Sequence, residues 1–539
     1  MSALNAPGAA PAAGESSART GARARALSEW WPLAALTLLA AVLRLADLGQ
    51  QSFWYDEAFT PVHVLHPSLA ATLRSVVKTE NTPPLWYLIA WADARLLGTG
   101  EVALRLPSAL AGIATVPVAW AIGRELTGRR TTAIAAAAFV AVSPLFVWYS
   151  QEARAYGLFV LAGALAMLCF LRALPDPTPR RIWLFALAGA LALLSHYFAV
   201  FLLMPMALWL LSERACRRVA LPALGALALV GLALVPLISA QGGHGTQWIG
   251  EWALTSRLEA IPQYYLTDYY GSALGHGVEL LVALPILAGI AYGLWRVLTP
   301  VEERGALIAL AIAAGGILIP LVLALFGADY LDPRNLVAAT IPVTALIAVI
   351  VPSRRAGSVG FVFAVLIAAG LFTIAIDVAL SPRLQRGDWR GLARVLNGWE
   401  SAGRTESAAS AGAVSGSSAT SRAGGSPGRG RPRAIATVEL GSAPLEYYLA
   451  GARHLAPGRS VAVSEVVEVG YSPLRPAAGA PPAPGFRLAA RSDVHGLIAF
   501  RFLAPVPVLL SEATLRRHTI TDAHPEVLIQ RVQPGSSPR

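Results

Sequence analysis

Residues Ser52-Phe53-Trp54-Tyr55-Asp56-Glu57-Ala58-Phe59 follow directly on the first long apolar run of the chain, near 31–48. Two adjacent carboxylates there are informative because almost everything around them is apolar. An acidic pair at the water–lipid boundary presents a general base to whatever the surrounding face binds. The rest of the chain can therefore be read for the face that Asp56 and Glu57 share.

The chain has 539 residues, 55% hydrophobic and only 14% charged, with a mean hydropathy of +0.55. Soluble domains carry roughly 25% charged residues, so the deficit points to an α-helical integral membrane protein. The net charge of +11 comes from arginine, since Lys78 is the only lysine. The arginines sit in short loops and an Arg-rich tail, which excludes a nucleic-acid partner as the simplest source of the charge. Cys169 and Cys216 lie in or beside apolar runs and make neither a disulfide framework nor a metal site. Residues 1–29 are rich in Ala, Gly, Pro and Ser with Arg19, Arg23 and Arg25, and read as a disordered cytoplasmic leader before a retained signal anchor.

A bilayer crossing takes ~20 apolar residues. Runs near 31–48, 104–122, 131–148, 156–172, 182–195, 197–211, 219–240, 277–296, 306–326, 336–351 and 358–380 predict about eleven transmembrane helices within 30–380. The 182–211 stretch reads as one hairpin or as one bent span. Beyond residue 122, alternate loops hold thirteen arginines, among them Arg124, Arg129, Arg130, Arg217 and Arg218, while the loops between these clusters hold only Arg154, Arg257 and Arg334. Basic loops stay inside, so the N-terminus is expected in the cytoplasm and the C-terminal region outside. Counting 83–98 as a span would invert every later loop. It is short and contains Asp93 and Arg95, and it carries Trp86, Tyr87 and Trp91, so it reads as an interfacial helix in the first outer loop. Residues 401–433 are a low-complexity linker. Strands at Ala434–Glu439 and Ser460–Val469, with a short helix near 444–453, predict a small extracytoplasmic α/β domain over 434–520.

No ionisable residue falls at mid-span, which argues against an ion-coupled transporter. Polar residues collect on the outer side instead: Asp56, Glu57, His63, His66, Lys78, Glu80, Asn81, Arg105, Glu152, Arg154, Tyr156, His196 and Arg334, with the aromatics Trp248, Trp252, Tyr264, Tyr265, Tyr269 and Tyr270. Carboxylates and arginines on one membrane face suit a reaction with an anionic leaving group, which Arg holds through paired donors. Each has a plainer reading: Asp56 as a helix cap, Glu152 and Arg154 as partners of each other, Arg105 and Arg334 as interfacial anchors. His63 and His66, flanked by Pro61 and Pro67, read as interfacial histidines rather than metal ligands.

The ordered set Trp54-Tyr55-Asp56-Glu57, Glu80-Asn81-Thr82-Pro83-Pro84-Leu85-Trp86-Tyr87, Arg105-Leu106-Pro107-Ser108 and Tyr149-Ser150-Gln151-Glu152-Ala153-Arg154-Ala155-Tyr156 resembles the C-type glycosyltransferases. The likeness is to the protein O-mannosyltransferase and aminoarabinose-transferase group, over roughly residues 30–390. It implies inverting transfer of a sugar from a polyprenyl-phosphate donor to a glycan, lipid or protein acceptor at the outer leaflet. It implies Asp56 as the base and outer-side arginines as the holders of the lipid phosphate. On the residues themselves Glu57 is taken with Asp56 as catalytic, and Glu80, Asn81, Arg105, Glu152, Arg154, Tyr156 and Arg334 as substrate-binding. The family often has a basic residue before the interfacial proline, where this chain has Asn81-Thr82, leaving Lys78 or Arg105 to supply it. No cofactor is required by this reading, and a divalent metal is left open. A polyprenyl-lipid flippase, an O-antigen-type ligase or a non-catalytic assembly protein are the rival readings. Arg over Lys and the Ala/Gly bias point to a GC-rich bacterial genome, and so to the plasma membrane.

Overall fold

The computed structural model describes residues 30–242, 247–267, 276–399, 432–472, 474–475, 478–517 and 525–531. The expected leader, 1–29, and nearly all of the linker, 401–431, lie outside the described residues.

Helices fall on all eleven apolar runs. Six are long and apolar enough to cross a membrane, or seven if one bent pair counts as a single span; the others are shorter, as at Trp30–Leu45 and Ala199–Ser212. The chain is a multi-pass membrane protein. The 182–211 stretch is two helices, α9 (Pro179–Ser195) and α10 (Ala199–Ser212), parted at His196.

The bent pair matters most for the site. Helix α6 (Arg130–Val142) meets α7 (Pro144–Ser150) at 55°. Pro144 has no N–H, and Ser143 before it is extended (φ −61°, ψ 125°), so the helix breaks there. The break strands carbonyls that need donors in an apolar setting. Arg44, at the end of α1 (Trp30–Leu45), supplies them: its Nη1 donates to Ala141 O (2.9 Å) and its Nη2 to Val140 O (3.0 Å). Its Nε donates to Ser150 Oγ (3.2 Å). Gly112 leaves room for this, since a Cβ there would strike the Ser150 hydroxyl and the Arg44 guanidinium. The redirected α7 then delivers residues 151–155 to the first-loop end of the bundle.

The first loop holds three helices, α2 (Phe59–Val64), α3 (Leu69–Thr79) and α4 (Leu85–Leu96). The side chain of Ser68 caps α3 by accepting from Ala71 N (3.2 Å). Helix α4, on the expected interfacial segment, buries Trp86, Tyr87 and Ala90.

Beyond α17 (Gly357–Leu380), a helix at 389–399 leads to a six-stranded sheet of order β2-β6-β1-β3-β5-β4. Its strands are β1 (Arg433–Thr437), β2 (Ala452–His454), β3 (Ser460–Gly470), β4 (Arg487–Val494), β5 (Leu497–Ser511) and β6 (Glu526–Gln530). Strands β1 and β3 run parallel, and all other pairs are antiparallel. Strand β6 lies next to β1 and carries the sheet to Gln530, past the boundary expected at 520. One face packs Phe486, Phe500 and Phe502. The other shares a single core with the first loop: Phe53, Trp54, Trp86 and Tyr87 pack with Trp389, Ile435, Tyr447, Tyr448 and Val467. Tyr448 accepts from Phe53 N (2.8 Å) and donates to Glu101 (2.7 Å). Ser52 Oγ donates to Gly387 O (3.2 Å) and accepts from Trp389 N (3.0 Å). The acidic loop is thus clamped between the helical bundle and the sheet.

Candidate active site

Asp56 and Glu57 are neighbours in sequence but point to different partners. Glu57 turns inward and is 0% exposed. Its two oxygens accept from Arg105 Nε (2.6 Å) and Nη2 (2.7 Å), and Oε1 also accepts from Ala153 N (2.7 Å). Arg386 Nη1 stands 3.6 Å from Oε2. Burial would raise the Glu57 carboxyl, but Arg105, then Arg386 and the Ala153 amide, more than offset it and hold the group below the usual range. Arg105 spends its remaining N–H groups on Leu48 O (2.8 Å), Gln51 O (2.9 Å) and Ser52 O (3.1 Å). All five of its donors are satisfied within the protein. That geometry corrects two expectations. Glu57 is enclosed rather than presented to an acceptor, and Arg105 has no N–H left for a substrate phosphate.

Asp56 is the carboxylate that faces outward, 14% exposed, with Arg154 Nη2 at 3.3 Å and Arg334 Nη1 at 3.7 Å. Arg154 is built in from behind. Its Nη1 donates to Glu80 (3.1 and 3.2 Å) and to the Tyr87 hydroxyl (3.1 Å). The Ser108 hydroxyl donates to its carbonyl (3.0 Å). Burial alone would raise Glu80, but Arg154 and His63 bring it down to about 2. His63 is itself fixed, with Nδ1 2.9 Å from Ser75 Oγ and Nε2 3.2 Å from Thr79 Oγ1 and 3.4 Å from Glu80. It is a buried structural histidine that steadies Glu80. Arg334 opens a 3₁₀ turn, where its backbone N–H donates to Asp332 (3.1 Å) and its Nε lies 3.3 Å from the same carboxylate. It is 27% exposed, more than the other arginines of this cluster.

Tyr156 packs on Tyr149 (ring centroids 4.6 Å) and on His196 (5.7 Å). His196 stacks on Phe159 (4.8 Å). Burial, then Arg154 and Arg334, push its imidazole down to about 3, so it is neutral at pH 7. Tyr264 of the following helical loop touches the Tyr149 hydroxyl, and Tyr265 donates to Leu336 O (2.9 Å). Tyr269, Tyr270 and the Trp248 side chain lie outside the described residues.

Glu152 does not pair with Arg154. It is fully buried and accepts from Arg386 Nη2 (2.8 Å). Burial raises its carboxyl to about 7, with Arg386 pulling down and Glu57 and Asp56 pushing up. Arg386 was not anticipated. Its signal was the run Arg383-Leu384-Gln385-Arg386-Gly387-Asp388-Trp389-Arg390, basic residues directly after the last span on the arginine-poor side. Asn81 lies exposed before α4, and Lys78 is exposed on α3. Among the described residues no three of His, Cys, Asp and Glu come together as a metal ion needs. Asp56, Glu57, Glu80 and Glu152 are each matched to arginine instead.

The site therefore brings Asp56, Glu80, Arg154, Tyr156 and Arg334 into one cluster, with Glu57, Arg105, Glu152 and Arg386 as a buried layer beneath. Residues 81–239 match the family of dolichyl-phosphate-mannose-protein mannosyltransferases. The stretch includes Arg105, Glu152, Arg154 and Tyr156, and the match bears out the resemblance to polyprenyl-phosphate-sugar glycosyltransferases. No curated protein matches the chain. Among solved structures, it is similar to ArnT from Cupriavidus metallidurans, at 16% identity over 66% of this chain and 61% of that one (TM-score 0.32). It is also similar to the oligosaccharyltransferase AglB from Archaeoglobus fulgidus in complex with an inhibitory peptide and a dolichol-phosphate. That likeness is 16% identical over 68% of this chain and 58% of that one (TM-score 0.43). The chain thus spans less than two thirds of these proteins.

Proposed function

We propose that the chain is a glycosyltransferase that moves a sugar, with inversion, from a polyprenyl-phosphate donor to a glycan, lipid or protein acceptor. In this reading it works at the outer face of the plasma membrane, with the N-terminus in the cytoplasm and residues 434–531 outside. The observation that carries the reading is the setting of Asp56. It is an outward carboxylate between two arginines, while the glutamates around it are buried in ion pairs. Asp56 takes the proton of the acceptor hydroxyl as its oxygen attacks the anomeric carbon. The bond from that carbon to the phosphate oxygen breaks, and its electron pair leaves with the polyprenyl phosphate. Arg154 and the more exposed Arg334 stabilise the charge that develops on the leaving phosphate. Glu80 and Tyr87 hold Arg154 in place before the substrate arrives, so less ordering is left to binding.

The test is sugar transfer by membranes from cells expressing wild type or Asp56→Asn, supplied with a panel of radiolabelled polyprenyl-phosphate sugars. Asp56→Asn should remain folded and bind the lipid phosphate while turnover drops about 10²–10⁴-fold, the span of general-base catalysis. Turnover equal to wild type would remove Asp56 as the base. An acceptor-independent movement of lipid between leaflets, with no transfer, would favour the flippase reading.

A further inference from the structure

Arg386 comes from the short segment between the last span and the sheet, 147 residues beyond the stretch that matches the family. It nevertheless reaches the buried layer under Asp56. Its Nη2 donates to Glu152 (2.8 Å), and its Nη1 donates to Gln151 O (3.4 Å) and stands 3.6 Å from Glu57. Its guanidinium lies over the ring of Trp148 (4.2 Å) and near that of Trp54 (5.5 Å). Its backbone N–H donates to Gln51 Oε1 (3.2 Å). Trp54 and Glu57 belong to the first loop, and Trp148, Gln151 and Glu152 to the end of the broken helix.

We propose that Arg386 is a positioning residue: a single buried guanidinium locks the loop carrying Asp56 to the loop carrying Arg154. The inference rests on the transfer reading for its consequence, though not for its geometry. The physical need is plain. Glu57 and Glu152 are both fully buried, and both stand against the same guanidinium. Arg105 neutralises the first, and a second cation is needed where the other carboxylate ionises, or the two buried charges would drive the loops apart. Arg386 meets both carboxylates at once. The Ala153 amide, donating to Glu57 (2.7 Å), knits the same two loops. Lysine could supply the charge but not the fork between two carboxylates or the flat face against Trp148.

The charged groups facing Glu152 are Arg386 from this segment, Glu57 and Asp56 from the first loop, and Arg154 from its own loop. Arg386 is the largest pull toward ionisation among them. A pH profile of transfer should therefore carry an inflection at about 7. It should move to higher pH in Arg386→Gln and vanish in Glu152→Gln.

The experiment compares full-length wild type with Arg386→Lys, Arg386→Gln and Arg386→Gln/Glu152→Gln in lipid nanodiscs. Amide exchange over 52–58 and 149–156 reads the loops without reference to activity. In Arg386→Gln these two segments should exchange about tenfold faster or more, with the sheet strands unchanged. The turnover number should fall about tenfold to a hundredfold, while the KM for the polyprenyl-phosphate sugar moves less than about threefold. Arg386→Lys should regain part of the loss, and the double variant should exchange more slowly than Arg386→Gln alone. Unchanged exchange in both segments would overturn the proposal, as would faster exchange everywhere with an unmoved pH inflection. If Arg386→Gln does not fold, Arg386→Lys alone decides, since it must show the faster exchange in 149–156. Absence of transfer by wild type would sink the transfer reading and leave the exchange result standing on its own.

Discussion

Arg105→Met should be among the most damaging single changes away from the reacting groups. The guanidinium and Glu57 are 2% and 0% exposed, so neither charge is screened by solvent. Two charge-assisted hydrogen bonds of 2.6 and 2.7 Å join them. At an effective dielectric of about 20, charges that close attract by about 6 kcal/mol, most of which offsets the cost of burying them. Removing one partner leaves the other charge buried and uncompensated, which costs about 3–5 kcal/mol. Arg386 at 3.6 Å and the Ala153 amide still hold Glu57, so the loss belongs at the low end, about 3 kcal/mol. The carbonyls of Leu48, Gln51 and Ser52 lose their donor as well. The assay is unfolding of the purified protein by SDS titration from dodecyl maltoside micelles. Arg105→Met/Glu57→Gln should recover about 2 kcal/mol of the single loss, because the stranded charge is gone. A loss under about 1 kcal/mol, or a double variant as unstable as the two singles summed, would refute the buried-pair argument.

Three further outcomes follow from particular contacts. Arg154→Ala should lower kcat/KM for the donor about tenfold to a hundredfold, the worth of one charge-assisted contact to the leaving phosphate; donor titration of the transfer rate checks it. Tyr448→Phe strips the hydroxyl that joins Phe53 N to Glu101, and should cost about 1–3 kcal/mol in the same SDS titration. Glu152 is raised from its ordinary 4.5 to about 7. Between those values the folded protein keeps a proton that the unfolded chain releases, so this group's contribution to stability falls as pH rises from 4.5 to 7 and is level above. The drop is about 3 kcal/mol. Unfolding at pH 5 and pH 8 should show it in wild type and not in Glu152→Gln, and equal differences in the two proteins would contradict it.

The eleven apolar runs, the short helix α4 and the strands near 434–439 and 460–469 were all legible in the sequence, because each depends on the composition of one local stretch. An apolar run of about 20 residues can lie in lipid, where a single segment satisfies its own backbone only as a helix. The break between α6 and α7 was not legible: Pro144 marks it, but Pro107, Pro117 and Pro320 lie inside unbroken helices, and the single run 131–148 hid it. Strand β6 was missed because five residues in a tail otherwise rich in turn formers carry little period of their own; pairing with β1 makes them a strand.

The residue types of the site were also local knowledge: acids and arginines gathered in a few loops. Who pairs with whom was not. Asp56 and Glu57 share one turn, yet one faces Arg154 and Arg334 and the other is sealed against Arg105. Glu152 and Arg154 are two residues apart and go to Arg386 and to Asp56 with Glu80. An ion pair is chosen by the packing of distant spans, and by which carboxylate that packing removes from water. Burial then decides role, since an enclosed charge must be matched by a fixed partner while an outward one can meet a substrate. The sequence by itself determined the helices, the membrane and the chemistry on offer. Only the tertiary structure, through contacts between residues up to hundreds of positions apart, decided that Asp56 faces out and that Arg386 belongs beneath it.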